Sequence, residues 1–413
     1  MLDPSLVESI TTGVDEARLV ETACGAVAIS SPTGEEQEIG DYFRERFEEA
    51  GLRVTWQEVE DGRPNVVGTL QGAAEGRALM LNGHMDTSYS GREPWLHGDG
   101  FKLVPRVGEG RITGLGIANM KGALACYVEA VRALRDAGVR LAGDLVVAAV
   151  CGEIEKTQWG EARGSEYRGY GVGTRHLVAH GCVADMCLLG EPTEQALVLA
   201  HYGAVWMRLS TKGTFVHTAF SQGRLDENAV VRMRNVLDAV LEWIPEWEAR
   251  TAVDGLSGVV SIGALSAGFP WRASRTPARS DLFLDVRTPP RMSSAEARRE
   301  LARFVQTLRD RFPEHGIESE LYVTVPGAEI DGDHELVGAV EAAHSAVFGA
   351  APPRAVLRWT ADSSVLAAHG IPTLNYGVAS GLPGGSGESV AIDELADTAR
   401  VYALTIADVC GVV

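Results

Sequence analysis

Six polar residues stand at or just after the ends of short apolar runs in the first half of the chain, or in one glycine-dense turn among them: His84 and Asp86, Asn119, Glu153 and Glu155, and Glu191. Histidine with carboxylates is the donor set of zinc and similar divalent ions, and a neighbouring carboxylate can orient the histidine through its second nitrogen. Taken singly, each position is weak. A histidine near a strand end is more often a surface or packing residue, and a Gly-Glu-Pro-Thr stretch is usually only a turn. Four such clusters in strand order point to one site built from converging strand tips.

The elements that must position these residues read as follows. Ala78–Leu81 is short and fully apolar, as a strand buried on both faces of a sheet is, and Asp144–Cys151 and Ala184–Leu189 read as further strands, the first of them buried. Gly114–Gly122 is glycine-dense and precedes the amphipathic run Ala123–Leu134, so it reads as a strand-to-helix turn at the carboxyl edge of a sheet, where α/β enzymes keep their chemistry. Residues 3–50 read as two helices, the second starting near Ser31-Pro-Thr-Gly-Glu-Glu with Thr33 as its cap. The Gly/Tyr/Arg-rich segment 159–173 reads as a loop long enough to be functional or flexible.

From Ala204 the pattern alternates. Strands at 204–210, 258–262, 281–287 and 318–325 and helices at 227–243 and 294–312 give the β-α-β-β-α-β order of a ferredoxin-like motif. The expected fold is α/β: a catalytic domain with a mixed, largely parallel sheet (1–199 and 323–413) and an inserted ferredoxin-like α+β dimerisation or lid domain (200–322).

Composition narrows the class. Of 413 residues, 45% are hydrophobic and 23% charged, which suits a sizeable core. A net charge of −19 argues against nucleic acid or an anionic membrane surface as partner. No apolar run approaches the roughly 18 residues of a membrane span. The 6 cysteines form no C-x-x-C pair, and the N-terminus has no basic region followed by an apolar stretch; a cytoplasmic protein is expected.

Nearly the whole chain resembles the co-catalytic zinc aminoacylase and carboxypeptidase superfamily, which includes acetylornithine deacetylase, succinyl-diaminopimelate desuccinylase and the glutamate carboxypeptidases. Its H-x-D motif is matched by His84-Met-Asp86. Its G-x-G-x-x-D-M-K-G motif is matched by Gly114–Gly122, except that Asn119 replaces the metal-bridging aspartate. Its Glu-Glu pair falls on Glu153 and Ile154, unless the register slips and Glu155 serves as the second member. Its later acidic ligand falls on Glu191. Its late H-x-x-x-E pattern keeps Glu388 but has Gly384 at the histidine. Gly213-Thr-Phe-Val-His217 resembles the inserted domain's histidine that reaches a partner subunit's site, and Asn228-Ala229 resembles the sequence that follows it.

The resemblance implies Glu153, His217 and Asp86 as catalytic residues and Asn119, Asn228 and Arg287 as substrate-binding residues. It implies His84, Glu191 and Asn119 as ligands of one weakly held zinc-like ion, with an empty site weighed equally, because the changed positions all belong to the second metal. Arg272, Arg275, Arg279, Arg287 and Arg291 cluster in an acidic chain; Arg287 is the best anion-binding candidate among them, and ordinary surface arginines are the better reading for most. The expected function is a peptidase- or deacylase-like enzyme acting on an amide or related C–N bond of a small carboxylated substrate, as a homodimer. Two alternatives stand beside it: metal-independent carbon–carbon, lyase or acyl-transfer chemistry on the same scaffold, and a non-catalytic binding homologue.

Overall fold

The computed structural model describes residues 2–379 and 387–413. Gly384 therefore lies outside the described residues. The chain divides into two compact units, one of Met1–Ala200, Glu329–Leu357 and Ala361–Val413, the other of His201–Ala328 with Arg358–Thr360.

The first unit is built on a mixed sheet. Its central strands, Leu145–Val150, Leu79–His84, Met186–Leu189 and Thr373–Asn375, run parallel in that order. An antiparallel hairpin, Arg53–Glu60 with Arg63–Leu70, extends one side, and Leu197–His201 joins antiparallel on the other. Every residue of Leu79–His84 and Leu145–Val150 is buried. Leu79, Leu81, Val147 and Leu188 pack into one core, and Met80, Ala148, Val150 and Cys187 into another on the opposite face. Both cores bury whole aliphatic side chains, each contributing roughly 1.5–3 kcal/mol. Helices Gly122–Asp136 and Ile392–Cys410 pack on the first face, which explains why the former is buried along almost its entire length.

The N-terminal region forms three helices rather than two: Pro4–Thr12, Glu16–Val27 and Gln37–Glu49. Asp3 and Asp15 cap the first two, each accepting from backbone amides of the first turn. The third has no side-chain cap. Thr33 lies outside it and directs its hydroxyl elsewhere, as described below.

The second unit is a four-stranded antiparallel sheet in the order Val259–Ala267, Arg279–Thr288, Gly203–Lys212, Glu318–Val325. With helices Ala229–Thr251 and Ser294–Arg311 this is the ferredoxin-like arrangement. Strand Arg279–Thr288 alternates strictly between buried and less buried positions, so one face lies on the helices. The core joins Leu209, Leu282, Leu284 and Val286 to Val236, Trp243, Leu301 and Phe304. Among the described residues no helix is long and apolar enough to cross a membrane, and all six cysteines are free thiols.

Candidate active site

His84 is the last residue of its strand, and the parallel register sets it beside Val150, three residues before Glu153. After Cys151 the chain turns through Gly152 at φ +63°, a left-handed conformation that favours glycine. That turn points the amides of Glu153 and Ile154 at Asp86, which accepts them at 3.0 and 3.2 Å. Asp86 also accepts the Thr33 hydroxyl at 2.9 Å. His84 Nδ1 donates to the Asp86 carbonyl at 2.9 Å and lies 3.5 Å from its carboxylate. Asp86 thus orients both His84 and the Glu153 turn. His84 Nε2 is left facing inward, 3.8 Å from Glu153 and 2.9 Å from the side-chain oxygen of Asn119.

Asn119 is placed by the glycine-dense segment. Gly116, at φ +85°, admits a short π-turn, Ile117–Lys121, ahead of the helix, and a cis peptide joins Asn119 to Met120. The amides of Ala118 and Asn119 are closed off by Glu388, at 2.9 and 3.0 Å. Glu388 is therefore a cap of the Asn119 turn.

His84, Glu153 and Glu191 each offer one donor atom within 4.8 Å of the others, and all three are buried. One Glu191 oxygen is buried without a hydrogen-bond partner. A four-coordinate ion about 2.1 Å from its ligands holds them roughly 3.4 Å apart. An orphaned carboxylate oxygen beside an imidazole offers two donors to one divalent cation, so His84 and Glu191 fit a single ion with the Glu153 carboxylate beside it. Asn119 reaches this group through His84. Glu155 is half-buried and stands outside the trio.

The electrostatics follow from crowding acids in a dry site. Burial, then the Glu191 charge, raises the Glu153 pKa well above the carboxylate range. Burial pushes Glu191 up to about 7. Burial alone would lower the His84 pKa, but the bond with Asp86 and the surrounding carboxylates raise it well above the usual histidine value. Burial opposes ionisation of Asp86, yet the bond and charge of His84 hold its pKa low.

Sequence reading missed four buried charged residues in and around the site. Asp362 is buried, bonds Thr174 at 2.5 Å and acts electrostatically on His84, Glu153 and Glu191; burial raises it to about 6. Its signal was an acid just before a short helix after an apolar strand. Lys121 is fully buried, and burial lowers its pKa to about 7. Arg63 and Glu36 form a fully buried bidentate pair.

The remaining candidates lie in the second unit, and each makes a short-range contact there. Asn228 caps Ala229–Thr251 by accepting from Val230 at 2.9 Å. Arg287 pairs with Asp285 on its own strand at 2.8 Å. Half-buried His217 accepts from Ala219 through Nδ1 at 3.2 Å and packs edge-on against Phe220.

A strand-tip histidine held by an aspartate, ringed by buried glutamates and approached by a glycine turn, is the arrangement of a metallohydrolase class. The chain belongs to peptidase family M20/M25/M40, whose sequence profile matches residues 80–408. It is 24% identical to the N-formyl-4-amino-5-aminomethyl-2-methylpyrimidine deformylase of Bacillus subtilis strain 168, over 93% of this chain and 92% of that one. It is 29% identical to the acetylornithine deacetylase of Vibrio parahaemolyticus, over 71% and 72%. Among solved structures, an aminopeptidase PepT from Bacillus cereus superposes with a TM-score of 0.73 at 20% identity, covering 97% of this chain and 100% of that one. That likeness establishes the fold.

Proposed function

We propose that this chain hydrolyses an amide or related C–N bond in a small carboxylated substrate, with Glu153 as proton carrier and one divalent ion held by His84 and Glu191 beside Asn119. The observation that carries the reading is the buried trio of His84, Glu153 and Glu191 with its orphaned Glu191 oxygen. The deformylase and deacetylase relatives, named for removing a one- or two-carbon acyl group, support a small acyl amide as substrate.

When bound, the ion supplies Lewis acidity toward a carbonyl oxygen. The rest is the work of side chains. Glu153, in a site that raises its proton affinity, takes a proton from the attacking water as the C–O bond forms. It returns that proton to the nitrogen as the C–N bond breaks. Asp86 keeps Nδ1 of His84 protonated, which leaves Nε2 to bind. Asn119 brings an amide oxygen where a carboxylate would carry charge, so one ion rather than two is the consistent occupancy. The family resemblance adds His217 as an oxyanion-binding residue, with Asn228 and Arg287 toward the substrate carboxylate. It adds a homodimer formed through the second unit. Strand Val259–Ala267 is paired on one side only and exposed from Ser261 onward, which suits such pairing. The free thiols suit a reducing cytoplasm.

A second reading, metal-independent chemistry, draws on one contact. As placed, both nitrogens of His84 face carbonyl oxygens, those of Asp86 and Asn119, which is how a doubly protonated imidazole satisfies itself. Elemental analysis with turnover on a panel of N-acyl amino acids separates the two. The first reading expects no more than one divalent ion per chain and turnover abolished by a chelator. Two ions per chain overturn the single-ion site, and turnover indifferent to chelation hands the chemistry to the second reading.

A further inference from the structure

Five polar side chains of the short segment before the third helix and its anchors are fully or almost fully buried: Ser31, Thr33, Glu36, Arg63 and Lys121. Buried polar groups are retained where their hydrogen bonds are satisfied, and here each has a partner. The segment Ser31–Thr33 lies alongside Met85–Thr87, the residues that follow His84. Thr87 N donates to Ser31 O at 2.8 Å and Thr33 N to Thr87 O at 3.2 Å, with Pro32 bridging Thr87 in parallel. Ser31 Oγ donates to Met85 O at 2.9 Å, and Thr33 Oγ1 to the Asp86 carboxylate at 2.9 Å. A cation fixes each end. Lys121, two residues from Asn119, donates to Ile29 O at 2.7 Å. Arg63 grips Glu36 with two bonds, and it also holds Glu60 and the Ser165 carbonyl of the 159–173 loop.

We infer that Thr33 is a positioning residue: its hydroxyl, on a segment anchored by Lys121 and Arg63, fixes the Asp86 carboxylate and so the aim of His84 and of the Glu153 turn. Asp86 Oδ2 takes two donors, Thr33 and the Ile154 amide, and Oδ1 takes the Glu153 amide beside His84. Of these, only the Thr33 hydroxyl comes from outside the two strand tips. Without it each oxygen keeps one amide, but Oδ2 loses its only side-chain donor and the shorter of its two bonds, 2.9 Å against 3.2 Å, so the carboxylate is held less firmly against rotation. The backbone ladder from Ser31 holds the chain of Met85–Thr87 but not that rotation. The inference rests on the single-ion reading for its metal readout and on backbone exchange for a readout independent of it.

Three variants test it with Co(II) as the probe. Thr33→Val keeps the shape and removes the hydroxyl; it is expected to weaken Co(II) binding roughly 10–100-fold, the usual cost of losing an outer-sphere partner. In the metal-free protein it should speed hydrogen exchange at the Glu153 and Ile154 amides. Thr33→Ser should restore both. Ser31→Ala, which removes the hydroxyl bond to Met85 O without touching Asp86, should lower Tm yet leave Co(II) affinity unchanged. Wild-type affinity and exchange in Thr33→Val overturn the inference, and so does an equal loss of affinity in Ser31→Ala. If the wild-type protein takes up no Co(II), the single-ion reading falls. Exchange then decides the matter alone: faster in Thr33→Val with serine rescue supports the positioning role, and unchanged exchange overturns it.

Discussion

The residues singled out in the first unit and those in the second differ in what their polar atoms do. His84, Glu153 and Glu191 leave parallel strand tips and meet with capacity to spare, down to a carboxylate oxygen with no partner. Asn228, Arg287 and His217 sit on a helix cap, a strand face and a short turn, each bonded to a neighbour one or two residues away. Parallel strands end together and must be covered on both faces, so polar residues at their tips are buried with one another. An antiparallel sheet with one solvated face lets polar residues satisfy themselves locally. Buried polar atoms without a partner occur in both units, so it is their convergence from several strand tips, as in the trio, that is the better mark of chemistry.

The comparison breaks most sharply at Glu153. Glu153→Gln is expected to lower kcat by roughly 10²–10⁴-fold while substrate still binds, since a positioned general base contributes that much. Steady-state kinetics with a binding isotherm checks it, and full activity would return the first unit's cluster to a packing role.

The next effect is on stability. In the metal-free protein His84, Glu153, Glu191 and Asp362 hold protons that the unfolded chain releases at lower pH. The fold then binds more protons than the unfolded chain, so stability falls as pH rises. The window runs from the ordinary carboxylate range to about 6 for Asp362 and about 7 for Glu191. The Glu191 shift corresponds to roughly 3 kcal/mol. Melting curves in chelator should lose several degrees between pH 5 and pH 8, and a divalent ion should restore them; a Tm that rises with pH contradicts the assigned protonation.

A smaller effect is expected at Asn119. Asn119→Asp adds a charged donor and should tighten a single ion about tenfold, as charge-assisted bonds exceed neutral ones. Elemental analysis should still find no second ion, because Ile154 remains. The mildest change is Asn228→Ala, expected to cost about 1 kcal/mol through loss of the cap, with Co(II) affinity unchanged. A loss of Co(II) binding in that variant would erase the distinction between the two regions.

Much of this site was legible in the sequence because strand tips advertise themselves. Short apolar runs followed by glycine and then an acid or histidine mark parallel strands and their edge, and the His84, Glu153 and Glu191 positions follow. The ferredoxin-like unit was legible for the converse reason, since its strands alternate and its helices keep a 3.6-residue period. Thr33 was misread as a cap because a threonine before acids is a strong local signal, and its true partner, Asp86, is 53 residues away. Asp362 escaped because no glycine turn or long strand precedes it; its role depends on Thr174, from a helix 188 residues earlier. Local pattern shows which residues can meet, and the long-range packing decides which do.

Glu388 carries a last consequence. It completes the Asn119 turn from 269 residues further along the chain, and the Thr373–Asn375 strand completes the parallel sheet almost as late. On the ribosome, the histidine and both glutamates of the site are made long before the segment that closes the turn beside them. The segment carrying Glu388 must be made before that turn can close, so a chain truncated before it carries the ligands without the acceptor that caps the Ala118 and Asn119 amides.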